Sequence, residues 1–184
     1  MFRQVLPGSA TLWQTIAGEA ERESALWRAA LRPEVEREEL PIFSSLADER
    51  FALGVESIYE GYLLHYGRAR LFAPADRDTS ILLGDYLYAH GLVRVSKEGD
   101  VGVVADLAEL LALCAHLRAE REPGDGTAWA ATIALLGRVE DRLTEARSAL
   151  TERGDPAPLV ELAESAAGAE AVARALALHT ARVF

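Results

Sequence analysis

Leu63-Leu64-His65-Tyr66-Gly67-Arg68-Ala69-Arg70 and Leu82-Leu83-Gly84-Asp85-Tyr86-Leu87-Tyr88-Ala89 are the two stretches on which the fold turns. Each belongs to a segment whose apolar residues recur with helical spacing, and Pro74 breaks the chain between them. The same spacing continues outward. Leu107, Leu110, Leu111, Cys114 and Leu117 follow an i, i+3, i+4 pattern, and Ile133, Leu136, Val139, Leu143, Ala146 and Leu150 form a second stripe of this kind. Both stripes read as core-facing helix.

Breakers fall at Pro7-Gly8, Pro33, Pro41, Pro74, Gly99-Asp100, Pro123-Gly124-Asp125-Gly126 and Gly154-Asp155-Pro156-Ala157-Pro158. They divide the chain into expected helices at 10–31, 34–40, 47–72, 79–97, 101–121, 127–152 and 157–182. The fold class is therefore all-α, an antiparallel bundle of about seven helices joined by short loops. Ser9, Asp78 or Thr79, Asp100 and Thr127 stand where caps belong. Val93, Val95, Val101, Val103 and Val104 make the only short run with strand propensity. Gly99 and Gly102 interrupt it and its flanks are helical, so this run also reads as helix.

With 184 residues, half of them hydrophobic, the chain suits one domain over 1–184 that buries a core without staples. Cys114 is the only cysteine, which excludes an internal disulfide and a cysteine-based zinc site and makes a reducing cytoplasm the default location. Met1 to Pro7 lack an apolar core of signal-peptide length, and no apolar run is long enough to suggest a transmembrane segment. A formal charge of −10 repels a phosphate backbone, which argues against nucleic acid as a partner.

The two opening stretches resemble the middle of a trans-prenyl diphosphate synthase. In that family an acidic His-Asp-Asp-x-x-Asp motif on one helix is followed by a helix beginning Gly-Asp-Tyr/Phe-Leu. Here the His is His65, but the acidic places are taken by Tyr66, Gly67 and Arg70. The resemblance runs from about Val55 to Glu120 and includes Glu98-Gly99-Asp100, which breaks one helix before the next, Asp106 to Glu120.

What the family needs for its reaction is missing. Magnesium requires clustered carboxylates to bind beside a diphosphate and neutralise the leaving group. Tyr66 and Gly67 carry no charge and Arg70 carries the wrong one. The nearest later acidic pair, Glu140-Asp141, is adjacent in sequence, so the two side chains diverge on a helix. The family's Gly-Lys-Arg element has no counterpart, since Lys97 is the only lysine. The interval from His65 to Gly84 is also shorter than in catalytic members and lacks their Arg-Arg-Gly loop.

The resemblance therefore implies a degenerate member, similar to the noncatalytic small subunit of a heterodimeric long-chain prenyl diphosphate synthase, with no catalytic residue, metal or cofactor. Its partner would be a second copy or a catalytic prenyl synthase, met through the helices Gly84–Ser96 and Asp106–Arg118. An alternative is a binding module for an isoprenoid or other apolar small molecule in a central cavity. A third reading is a soluble helical interaction domain.

Candidate ligand-binding residues are Tyr59, Tyr62, His65, Tyr66 and Asp85, with Leu63 and Leu87 beside them. The three tyrosines share one helical face and suit a ligand cleft, a subunit interface or ordinary core. His65 is either the remnant of a ligand site or a satisfied histidine. Asp85 is either a held acid or a first-turn carboxylate favoured by the helix dipole. Arg68 and Arg70 either grip an anion or are solvated partners of nearby Glu.

Other chemistries find no motif. None of His65, His90, His116 and His179 has a Glu three residues before it, as a di-iron bundle requires. Gly54, Gly61 and Gly67 make no phosphate loop, Gly124-Asp125-Gly126 lacks a following Lys-Ser/Thr, and there is no Gly-x-Ser-x-Gly.

Overall fold

A capping box starts the first helix. The Thr11 hydroxyl accepts from the Gln14 amide at 3.2 Å, and the Gln14 side chain accepts from the Thr11 amide at 3.0 Å. In the computed structural model, which describes residues 11–99, 101–138 and 140–183, this is α1, Leu12–Glu23. Ser24 ends α1 in an extended conformation and caps α2, Ala25–Ala30, by accepting from the Trp27 amide at 3.0 Å. The expected helix 10–31 is thus two helices, and its expected cap Ser9 lies outside the described residues.

The expected helix 34–40 shrinks to a single 3-10 turn, Glu34–Glu36, with further turns at Ser44–Leu46 and Glu49–Phe51. They lead into α3, Ala52–Tyr66. This helix ends well short of residue 72. Gly67 is extended, the Arg68 amide donates to the Arg182 carbonyl at 2.8 Å, and the Leu71 amide donates to Glu60 Oε1 at 2.7 Å. Those amides find partners outside a helix, and isolated antiparallel bridges join Gly67 to Val183 and Leu31 to Phe72.

α4, Arg77–Glu98, is capped by Asp76 rather than by Asp78 or Thr79; the Asp76 carboxylate accepts from the Thr79 amide at 2.7 Å and the Thr79 hydroxyl at 2.9 Å. α5, Val101–Glu120, follows at once, and its expected cap Asp100 is outside the described residues. All five valines of the run from 93 to 104 are helical, with the break between α4 and α5 at Gly99. The expected helix 127–152 is two, α6 Asp125–Ala134 and α7 Arg142–Arg153, separated by a turn in which Gly137 has φ 78°. Thr127 does not cap α6; its hydroxyl donates to the Gly124 carbonyl at 2.7 Å. The expected helix 157–182 splits at Gly168, φ 90°, into α8 Ala157–Ala167 and α9 Ala169–Thr180. Among the described residues the chain is all-α, with nine helices instead of seven.

α3 is the central helix, and every residue from Gly54 to Leu64 on it is buried. A helix enclosed on all sides needs neighbours at close range. α4 comes closest, because glycines face each other across the seam: a β-carbon on Gly61 would lie 2.7 Å from the Gly84 carbonyl, and one on Gly91 would lie 2.8 Å from that of Gly54. These glycines serve helix contact and not phosphate.

The remaining helices close one contiguous core. Leu107, Leu110, Cys114 and Leu117 are buried on α5, with Leu111 half-buried. Ile133, Leu136, Leu143, Ala146 and Leu150 are buried too, although they belong to two helices and the turn between them; Val139 of that stripe lies outside the described residues. Burial pushes the Cys114 thiol well above its ordinary pKa, as a core cysteine requires.

Candidate functional site

α3 separates the candidate residues into two groups. Tyr59 and Tyr62 lie in its buried middle, stacked on each other at 5.9 Å and meeting the Trp129 ring of α6 edge-on at 5.1 and 5.5 Å. Leu63 and Leu87 are buried as well. These four residues belong to the buried core. His65 and Tyr66, on the last turn, instead line an open cleft of about 940 Å³ between the C-terminal ends of α3, α5 and α9 and the N-terminal turn of α6.

His65 also meets the fifth candidate. Its Nε2 is 3.1 Å from Asp85 Oδ1 on α4, close enough for an ion pair but without the alignment of a hydrogen bond. The His65 ring stacks on Tyr88 at 5.1 Å. Burial lowers the His65 pKa and outweighs the opposing pull of Asp85, so the imidazole is neutral at pH 7. His65 and Asp85 thus sit on neighbouring helices beside the cleft.

The floor of the cleft is polar and tightly joined. Asp125, in the first turn of α6, accepts on Oδ2 from the Tyr62 hydroxyl, from Arg118 Nε at 3.0 Å and from His179 Nε2 at 3.2 Å. Arg118 Nε also donates to the Tyr62 oxygen at 3.0 Å, and the Tyr59 hydroxyl lies 2.9 Å from His179 Nδ1. Burial alone would raise the Asp125 carboxyl. Hydrogen bonds from His179 and Tyr62, with the charge of Arg118, override it and hold the pKa well below the usual carboxylate range. Burial pushes both the Tyr59 and the Tyr62 hydroxyls far up, so both remain protonated donors.

Two backbone details shape this floor. A β-carbon on Gly126 would lie 2.9 Å from the His179 ring, so α9 approaches α6 only over a glycine. Arg121 has φ 60°, in the left-handed region. It ends α5 in a Schellman arrangement, with the Glu122 amide donating to the Leu117 carbonyl at 2.8 Å and the Arg121 amide to the Arg118 carbonyl at 3.3 Å. That place ordinarily belongs to glycine, and a side chain there costs about 1 kcal/mol or more.

Arg70 corrects the sequence reading. It is neither solvated nor open to a ligand: its side chain is fully buried and donates to Glu60 Oε2 at 2.9 Å, Glu56 Oε2 at 2.6 Å and the Leu40 carbonyl at 2.8 Å. Glu56 Oε1 in turn accepts from the amides of Ile42 at 3.1 Å and Ser44 at 3.2 Å. Arg68 is exposed and lies 3.7 Å from Glu38, as a solvated partner does.

Both nitrogens of His179 are engaged inside the protein, which leaves it none to act as a base on a ligand. Among the described residues no three His, Cys, Asp or Glu side chains come together as metal ligands, and no helix is long and apolar enough to cross a membrane. Arg118, Asp125 and His179 were not singled out from the sequence. Arg118 and Asp125 are 7 residues apart, but Tyr62 is 56 and 63 residues from them and His179 is 54 from Asp125 and 120 from Tyr59, beyond any local motif. No family model matches the chain, and neither a curated protein nor a solved structure does.

Proposed function

We propose that this protein is a noncatalytic helical binding module that takes a small molecule into the cleft at the end of α3. The observation that carries the reading is the cleft itself. Its volume of about 940 Å³ is within the range of ligand sites, its walls include Tyr66, Leu176 and Val183, and its polar floor is held in place by Asp125. The groups of its floor, Tyr62, Arg118, Asp125 and His179, are tied to one another, which favours holding over turnover. The reading places the ligand in this cleft and not among Tyr59, Tyr62, Leu63 and Leu87, which pack against their neighbours. A degenerate isoprenoid-synthase-like origin has one support, the approach of His65 to Asp85 beside the cleft. Native mass spectrometry of freshly purified protein tests the function. A retained small molecule that is lost in Thr180→Trp, at the exposed rim of the cleft, supports it; bare protein in both samples ends it.

A second reading, a dimerisation or regulatory subunit in isoprenoid diphosphate synthesis, is favoured by one surface. Leu82 and Val93 on α4 and Val101 on α5 are large apolar residues more than half exposed, and Ala89, Ala105, Ala108, Ala112 and Ala115 are exposed on the same two helices. Such a face suits a second copy or a catalytic prenyl synthase. Sedimentation of the wild type and of Val93→Arg decides it. A dimer that the arginine dissociates is the supporting result; a monomer that also fails to pair with a prenyl synthase defeats it.

A further inference from the structure

Three arginines, Arg77, Arg118 and Arg121, converge on one cleft of a chain whose formal charge is −10. Arg118 is matched by Asp125. No carboxylate among the described residues lies within ion-pair distance of Arg77 or Arg121, and Glu122 is the one other acidic side chain that lines the cleft. His65 is neutral. Among the described side chains that line the cleft, Arg118 is paired with Asp125 and Glu122 offsets one guanidinium, which leaves a surplus of one positive charge on its walls, with Asp85 outside them beyond His65. Arg77 is held in place by donating to the His65 carbonyl at 2.9 Å. Arg121 is kept at a left-handed position where glycine fits better, the kind of local strain that is retained at functional sites.

We propose that the cleft takes a monoanion with an apolar tail, specifically a carboxylate, its head between Arg77 and Arg121 and its tail along Tyr66, Leu176 and Val183. The proposal rests on the reading of the cleft as a ligand site. A guanidinium meets a carboxylate in a matched, charge-assisted geometry. The charge surplus selects against multiply charged heads. A diphosphate ester would bring several negative charges to a cleft with a surplus of one and with no acidic cluster to hold a divalent cation.

Isothermal titration calorimetry with decanoate, decanol and geranyl diphosphate tests the class, using the wild type, Arg121→Gly and Thr180→Trp. Arg121→Gly places the preferred residue at the end of α5, so its melting temperature equals or exceeds that of the wild type while one guanidinium is lost. The expected result is decanoate binding at least about tenfold tighter than decanol, a drop of about tenfold in Arg121→Gly for decanoate alone, and weakening by salt. Decanol binding as well as decanoate, with both blocked by Thr180→Trp, overturns the charge reading and leaves the cleft intact. Geranyl diphosphate binding more tightly than decanoate overturns the monoanion class. No binding of any probe, together with no co-purified ligand, overturns the cleft reading as well.

Discussion

His179 Nε2 lies 3.2 Å from Asp125 Oδ2, and this contact ties the last helix to the first turn of α6. An ionised carboxylate only accepts, so Nε2 carries the proton, and Nδ1 meets the Tyr59 hydroxyl at 2.9 Å. His179, Tyr62 and Arg118 all donate to one carboxylate. Asp125 is the common acceptor, which makes it the residue whose loss is felt by every partner.

Asp125→Asn should lower stability by about 2–4 kcal/mol, because the amide turns donors toward donors and leaves Arg118 without its counter-charge. Urea denaturation at pH 7 measures this. The wild-type carboxyl titrates below its unfolded value, so its contribution is complete above about pH 4 and is lost as the pH falls toward the depressed folded pKa. The variant should lose less stability than the wild type across that acid range; parallel curves would contradict the assignment.

Arg70→Met should cost about 3–5 kcal/mol, since it strands the carboxylates of Glu56 and Glu60 in a site with no solvent access. Arg70→Lys should recover only part of this, because an ammonium cannot reproduce the fork that meets Glu56, Glu60 and the Leu40 carbonyl together. Chemical denaturation of the two variants side by side checks the order.

Glycine-to-alanine changes should have opposite signs on two helices. Gly61→Ala places a methyl 2.7 Å from the Gly84 carbonyl and 3.0 Å from the Tyr88 ring, so it should destabilise by about 1–3 kcal/mol despite better helix propensity. Gly18→Ala, where nothing lies within 4 Å, should stabilise by about 0.4–1 kcal/mol. Thermal melts of both variants decide it.

His65 should give a measurable slope in stability against pH. Its folded pKa is below the ordinary imidazole value of 6.5, so the unfolded chain binds the proton more readily and stability falls as the pH drops through 6.5 toward the folded value. His65→Gln should flatten that slope. Asp85→Asn should steepen it, because the one group that favours the charged imidazole is removed. Melting temperatures between pH 8 and pH 5 provide the comparison.

Periodicity carried much of the fold. The expected span 79–97 became Arg77–Glu98, and 101–121 became Val101–Glu120. The missed breaks have a physical reason. Ile133, Leu136 and Leu143 keep helical spacing across a turn, and Ser24 serves as both the end of one helix and the cap of the next. Of the site, His65 and Asp85 were singled out through the resemblance of two stretches to a prenyl synthase, and Tyr66 through the helical face it shares with Tyr59 and Tyr62. Tyr59 and Tyr62 were legible as one helical face with core as one of its three readings, and the core is where they lie. Glu56 and Glu60, four residues apart in an apolar helix, were the available sign that something positive had to be enclosed with them. Asp125 and His179 offered no such sign, because their meaning comes from contacts that only the folded chain creates.

The enclosed Arg70 has a consequence for the order in which the chain assembles. Any half-formed version of its contacts leaves a dehydrated charge facing nothing, so partial docking is worse than none. Leu40 to Ser44, the middle of α3 and Arg70-Leu71 must therefore shed water in a single concerted event. Their amides should exchange with solvent at one shared rate, making this stretch of the molecule a cooperative unit that opens whole or stays shut.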